Sequence, residues 1–198
     1  MTTSPLPPKE TAAPPLEAPA NIVLIGFMGA GKTSVSQELA KLLDRHAIEM
    51  DELIAQRAGV SSVAKIIDLQ GEKVFRDLEA NLASELGTRS GLVISTGGGI
   101  ITRPENRAAI TQRGAHIVFL DCPFETARDR LSRDQGPGKE RPLFRDLTKA
   151  KALFDARLPI YREWASFIVQ VESLSPRKIA QLIIECTANS KAQDCGVT

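Results

Sequence analysis

A chain that reads Gly26-Phe27-Met28-Gly29-Ala30-Gly31-Lys32-Thr33 between a short apolar run and an amphipathic one has few folds open to it. The run matches G-x-x-x-x-G-K-[ST] in full, with a predicted strand (NIVLIGF) before it and a predicted helix (TSVSQELAKLLD) after it. Glycines let successive amides turn inward on a phosphate, and the N-terminus of the next helix adds a favourable dipole. Gly29, Ala30, Gly31, Lys32, Thr33 and Ser34 are therefore expected to cradle the phosphates of a nucleotide. Lys32 can reach the outer phosphates as a mobile charge, and the Thr33 hydroxyl can ligate magnesium.

Downstream the alternation repeats. HAIEM, GLVISTGGG, AHIVFLD and FIVQV read as four more strands. DELIAQRAGVSSVAKIIDLQ, GEKVFRDLEANLASELG, ENRAAITQRG, FETARDRLSRD, LTKAKALFDARLPIYREWA and SPRKIAQLIIECTA read as helical, with Pro159 interrupting or bending the fifth. Strands alternating with helices predict an α/β fold, a five-stranded parallel sheet with helices on both faces. Residues 1–20 hold six of the twelve prolines and no aromatic residue, and are expected to form a disordered or extended tail. A single domain is expected over 21–188, with a polar tail at 189–198. Residues 131–146 mix Gly, Pro and both signs of charge, as a flexible cover does.

With 25 Lys+Arg against 24 Asp+Glu, the net charge is +1. Nucleic acid and anionic membrane surfaces, which call for a basic excess, are not expected partners. The tail lacks the apolar core of a secretory signal, no run is long enough to span a bilayer, and three scattered cysteines suggest a reducing compartment. A cytoplasmic enzyme is expected. The chain has no Asn-Lys pair and so no guanine-recognition motif of the GTPase kind, which leaves a small kinase closing over ATP and a small acceptor.

At this point GFMGAGKT, the acids of IEMDELI, GEKVFRDLE, ISTGGG, ERPLF and ARLPIY, in that order, resemble the shikimate kinase family from about Asn21 to Glu185. The resemblance implies a nucleoside-monophosphate-kinase-like fold and transfer of the ATP γ-phosphoryl group to the 3-hydroxyl of shikimate. It implies ATP and Mg2+ as cofactors and a substrate-binding helical region at about 51–90. A monomer is expected. Alternatives are a kinase for another carboxylated polyol or cyclitol, and a nucleotide-binding homologue without transfer.

Glu49 and Asp51 lie two apart at the end of HAIEM, so on a strand both carboxylates would face one crevice. Glu49, where the family usually has aspartate, is the expected metal-side acid together with Thr33. Asp51 matches the substrate-binding acid and base, against a local reading as the N-cap of the next helix. Arg76 and Arg157 match the pair that clamps the substrate's carboxylate, with surface pairing to Asp77, Glu79 or Asp155 as the competing reading. The resemblance assigns Gly98 and Gly99 to the substrate's ring and hydroxyls, where a plain turn is the alternative. It assigns Arg141 to both the transferring phosphate and the acceptor, and Arg130, Ser175 and Pro176 to the adenine, with a solvated helix arginine as the other reading of Arg130. The lid is a few residues longer than in compact relatives. Asp121 is read as structural, and Tyr161 and Trp164 as packing residues.

Overall fold

The computed structural model describes residues 19–133, 144 and 146–188. Five strands, β1 (Ile22–Ile25), β2 (His46–Glu49), β3 (Leu92–Ser95), β4 (His116–Asp121) and β5 (Phe167–Gln170), pair in parallel in the order β2-β3-β1-β4-β5. The strands are short, and in the three inner ones, β1, β3 and β4, alternation sends side chains to two separate cores. On one face Ile22, Leu24, Val93, Val118 and Leu120 pack against Val35 and Leu39 of α1 (Lys32–Leu43) and Ile179 and Ile183 of α8 (Pro176–Ala188). On the other, Val23, Ile25, Ile94 and Phe119 meet Phe75, Leu82 and Leu86 of α4 (Glu72–Gly87) and Phe154, Tyr161 and Trp164 of α7 (Leu147–Trp164). Burial on both faces is why β1, β3 and β4 read as continuous apolar runs.

The structure divides one helical run and corrects two other helical expectations. The run 51–70 is two helices, α2 (Met50–Arg57) and α3 (Val63–Gln70), parted around Gly59 at φ +68°. Helix α7 is not interrupted at Pro159: the residue and Asp155, whose carbonyl loses its amide donor, are both exposed, so water can take that bond. Helix α5 (Glu105–Ile110) is only six residues long, and α6 spans Phe124–Arg133. Of the tail predicted over 1–20, residues 1–18 lie outside the described residues, whereas the carbonyls of Pro19 and Ala20 accept from Gly91 N and Arg45 Nη1 and so belong to the domain. The tail at 189–198 and most of the predicted lid also lie outside the described residues.

The chain leaves β1 toward β2 on one side and leaves β3 toward β4 on the other. The carboxyl ends of β1 and β3 therefore flank the switch point, where open parallel sheets bind ligands.

Candidate active site

The loop after β1 turns through Gly29 at φ +83° and Gly31 at φ +92°, and a Cβ on Gly29 would stand 2.7 Å from the Ala127 carbonyl oxygen. Only glycine fits there. Gly31 caps α1, so Lys32, Thr33 and the exposed Ser34 form its first turn, with Ala30 buried beneath. Lys32 Nζ donates to the carbonyls of Gly26 (2.8 Å) and Phe27 (3.1 Å), which hold the ammonium over the loop. Thr33 Oγ1 donates to Glu49 Oε2 at 3.0 Å, so the two residues expected at the metal are in contact. A hydroxyl and one carboxylate beside a phosphate loop fit magnesium, which takes hard oxygen donors and usually completes its shell with phosphate and water.

One sequence expectation fails here. Glu49 and Asp51 do not share a strand face: β2 ends at Glu49, opposite Ser95, and Asp51 lies in the first turn of α2. Pairing stops because β3 itself ends at Ser95, and the chain turns into a helix in which residues two apart point away from each other. Nor is Asp51 the N-cap. That position is Glu49, whose side chain caps nothing. The two acids consequently serve different places, Glu49 turning to α1 and Asp51 to the loop after β3.

That loop, Gly97-Gly98-Gly99, gathers the second group of residues. A Cβ at Gly97 would stand 2.6 Å from Asp51 Oδ1 and 3.0 Å from Glu79 Oε1. One at Gly99 would collide with both terminal nitrogens of Arg76. Arg157 Nη1 donates to the Gly98 carbonyl at 3.1 Å, and the Tyr161 hydroxyl donates to the same oxygen. A Cβ on Gly98 would lie 3.5 Å from the Gly26 carbonyl oxygen, so this cluster adjoins the phosphate loop.

The surface-pair reading of Arg76 holds in part. Its guanidinium bonds Glu79 Oε2 at 2.8 Å and Glu72 Oε1 at 3.2 Å, yet Arg76 is mostly buried and Glu79 completely so. Burial pushes the Glu79 carboxyl above its ordinary 4.5, against the pull of Arg76. Two buried polar atoms here, Glu79 Oε1 and Arg157 Nε, have no hydrogen-bond partner among the described residues. Buried orphans of this kind mark a place that a polar ligand can complete.

Arg130 forms a third group. Its guanidinium reaches the carbonyls of Val171 (2.8 Å) and Glu172 (3.3 Å) and approaches the Ala30 carbonyl at 3.4 Å, tying the phosphate loop to the turn before α8. Ser175 Oγ accepts from the Lys178 amide and Pro176 opens α8, so both have a helix-starting role in place. Asp121 pairs with Arg162 (3.3 Å) and Gln170 (3.0 Å), as a structural acid should. Arg141 lies outside the described residues.

Sequence reading passed over Ser36, whose hydroxyl bonds Glu49 at 2.6 Å, and gave Tyr161 no role beyond packing. Tyr161 does stack on Phe119, but its hydroxyl serves the glycine loop. The signal available for either was a hydroxyl at an otherwise apolar helix position facing the sheet.

A phosphate loop and a charged cluster on a glycine loop beside it, at the carboxyl edge of a parallel 2-3-1-4-5 sheet, go with the P-loop kinase class and its nucleoside-monophosphate-kinase-like fold. Residues 28–188 match the family model described as Shikimate kinase. The chain belongs to the shikimate kinase family. It is 39% identical over 167 residues to a shikimate kinase from Burkholderia thailandensis, covering 83% of this chain and 88% of the relative. A Xylella fastidiosa shikimate kinase is 37% identical over 173 residues, 85% and 93% of the two chains. Among solved structures, shikimate kinase from Acinetobacter baumannii in complex with shikimate superposes with a TM-score of 0.80 at 34% identity, covering 92% of this chain and all of the other.

Proposed function

We propose that the chain transfers the γ-phosphoryl group of ATP, with Mg2+, to the 3-hydroxyl of shikimate. The observation that carries the reading is the convergence of Arg76, Arg157 and Asp51 on Gly97–Gly99, one loop away from the phosphate cradle. Two guanidiniums suit a planar carboxylate, and a carboxylate beside them suits a hydroxyl on the same small ring.

In this reading the cradle from Gly29 to Ser34 binds the triphosphate, and Lys32 follows the charge onto the moving phosphoryl group. Thr33 and Glu49 hold magnesium, which neutralises phosphate charge when bound. Arg130, Ser175 and Pro176 flank the adenine. Arg76 and Arg157 fix the acceptor's carboxylate while the backbone of Gly98 and Gly99 lies along its ring. Asp51 aligns the 3-hydroxyl and accepts its proton as the new P–O bond forms and the bond to the β-phosphate bridge breaks. Arg141 stabilises the equatorial oxygens in flight. The enzyme works in the cytoplasm as a monomer; no described helix is long and apolar enough to cross a membrane.

The test is an assay of purified protein with ATP and Mg2+ against shikimate, quinate, gluconate and no acceptor, with the phosphorylated product measured directly. Formation of shikimate 3-phosphate well above the no-acceptor rate is expected. Preferential phosphorylation of gluconate or quinate would replace this reading with the other-acceptor one.

A further inference from the structure

We propose that Ser36 is a positioning residue that holds the Glu49 carboxylate in the pose in which this longer acid serves Thr33 and the metal beside it. The inference rests on reading the phosphate loop as a magnesium–nucleotide site.

Ser36 follows Thr33 by three residues on α1, so both hydroxyls lie on the helix face turned toward β2. It is fully buried, in a helix position where an apolar side chain would be ordinary. Its Oγ lies 2.6 Å from Glu49 Oε1 and 2.9 Å from the Thr33 carbonyl oxygen. A hydroxyl has one proton to give, and a carboxylate at that distance is the stronger acceptor. Thr33 Oγ1 engages the other carboxylate oxygen at 3.0 Å. Both oxygens of Glu49 are thus held by hydroxyls from one turn of α1.

Glutamate at this position has one more rotatable bond than the aspartate usual in the family, and a freely turning carboxylate is a poor metal partner. Ser36 removes that freedom by anchoring Oε1, which leaves Oε2 on the Thr33 side. From the same backbone a carboxylate one methylene shorter sets its oxygens back by about 1 Å, so the 2.6 Å contact with Ser36 suits the longer acid. The pair Ser36–Glu49 is one device, and the two residues should show it energetically.

The experiment is calorimetric titration of the full chain with ADP across a MgCl2 series, reading the Mg2+ concentration at which nucleotide affinity is half-enhanced. Ser36→Ala should raise that concentration about tenfold, in the range seen when the hydrogen-bond partner of a metal ligand is lost. ADP affinity without metal should not change. Alanine is a good helix former and removes only one oxygen, so the melting temperature checks that the fold is kept. In a Glu49→Asp background the same Ser36→Ala change should have less than about a twofold effect, because the coupling is already gone. An unmoved Mg2+ requirement in Ser36→Ala, or an equal shift in both backgrounds, overturns the proposal. If ADP binding by the parent does not respond to Mg2+ at all, the magnesium reading beneath it falls too, which separates the two failures.

Discussion

Tyr161 donates a hydrogen bond of 2.5 Å to the carbonyl oxygen of Gly98, the oxygen that also receives Arg157 Nη1 at 3.1 Å. Two side chains one helical turn apart on α7 thereby fix a peptide plane in the loop after β3. Burial, opposed by Arg157, pushes the Tyr161 hydroxyl up to about 12, so it remains a donor throughout the pH range of enzyme assays. Because a peptide is planar and trans, holding the Gly98 carbonyl on one side sets the Gly99 amide on the other.

Tyr161→Phe keeps the stack on Phe119 and loses only the hydroxyl. A hydrogen bond of this type is worth about 1 kcal/mol, so the KM for shikimate should rise about fivefold. The KM for ATP should stay the same. Steady-state kinetics with each substrate varied separates this from a general loss of packing, which would move both constants and the melting temperature.

Gly99→Ala tests the position of Arg76. Gly99 has φ −104° and ψ 1°, a conformation open to alanine, so any effect comes from the methyl group meeting the guanidinium. Displacing a buried arginine from its acid partner should weaken acceptor binding at least about thirtyfold, the low end for a buried charge contact. Nucleotide binding should be retained. Calorimetric titrations with shikimate and with ADP read the two effects independently, and equal losses for both ligands would count against the assignment.

Lys32→Met should abolish phosphoryl transfer and leave the fold intact, since the lysine sits on loop carbonyls and not in either core. Its charge is needed most as negative charge moves onto the transferring group. Circular dichroism and a direct product assay check the two halves of the expectation. A mutant turning over at the parent rate would remove Lys32 from the mechanism.

Asp51→Asn should preserve nucleotide affinity and cut shikimate phosphorylation at least about a hundredfold, a low value for a positioned acid–base group. Product must be measured directly, because ATP hydrolysis by water also releases ADP. A mutant that makes shikimate 3-phosphate at the parent rate would refute the acceptor-side model.

Glu79 yields a pH prediction. Its carboxyl titrates higher in the folded chain than its ordinary 4.5, through burial. The neutral acid is the form the fold favours, so its stabilising contribution is complete below about pH 4.5 and is lost as pH rises through the folded value. Glu79→Gln does not titrate. The melting temperature of the mutant relative to the parent should therefore climb as pH is raised from 4.5, even though the mutant lacks the ion pair to Arg76. A difference that is flat or falls over that range would mean that the Arg76 partnership outweighs burial.

The phosphate cradle and the strand-helix alternation were readable from residue order because both depend on neighbours in the chain. A Gly-rich turn entering Lys32-Thr33 sets its backbone locally, and the apolar runs of β1, β3 and β4 declare burial on both faces. Arg76 and Arg157 could be singled out only by family pattern, since an arginine near acids in sequence looks the same on a surface as in a cleft. The course of Asp51 was misread for a reason of the same kind: the end of β2 is set by the end of its neighbour β3 at Ser95, which residues 46–51 do not encode.

The sequence by itself determined the fold class, the phosphate loop and the order of the site's segments along the chain. Tertiary structure alone decided that Glu49 turns to Ser36 and Asp51 to Gly97, that Glu79 is buried beside Arg76, and that Tyr161 holds Gly98 from 63 residues away. Those contacts join side chains whose meeting is fixed by strand order and helix packing. No local propensity records them, because the energy that brings such groups together comes from the two cores on either face of the sheet and not from the residues in contact.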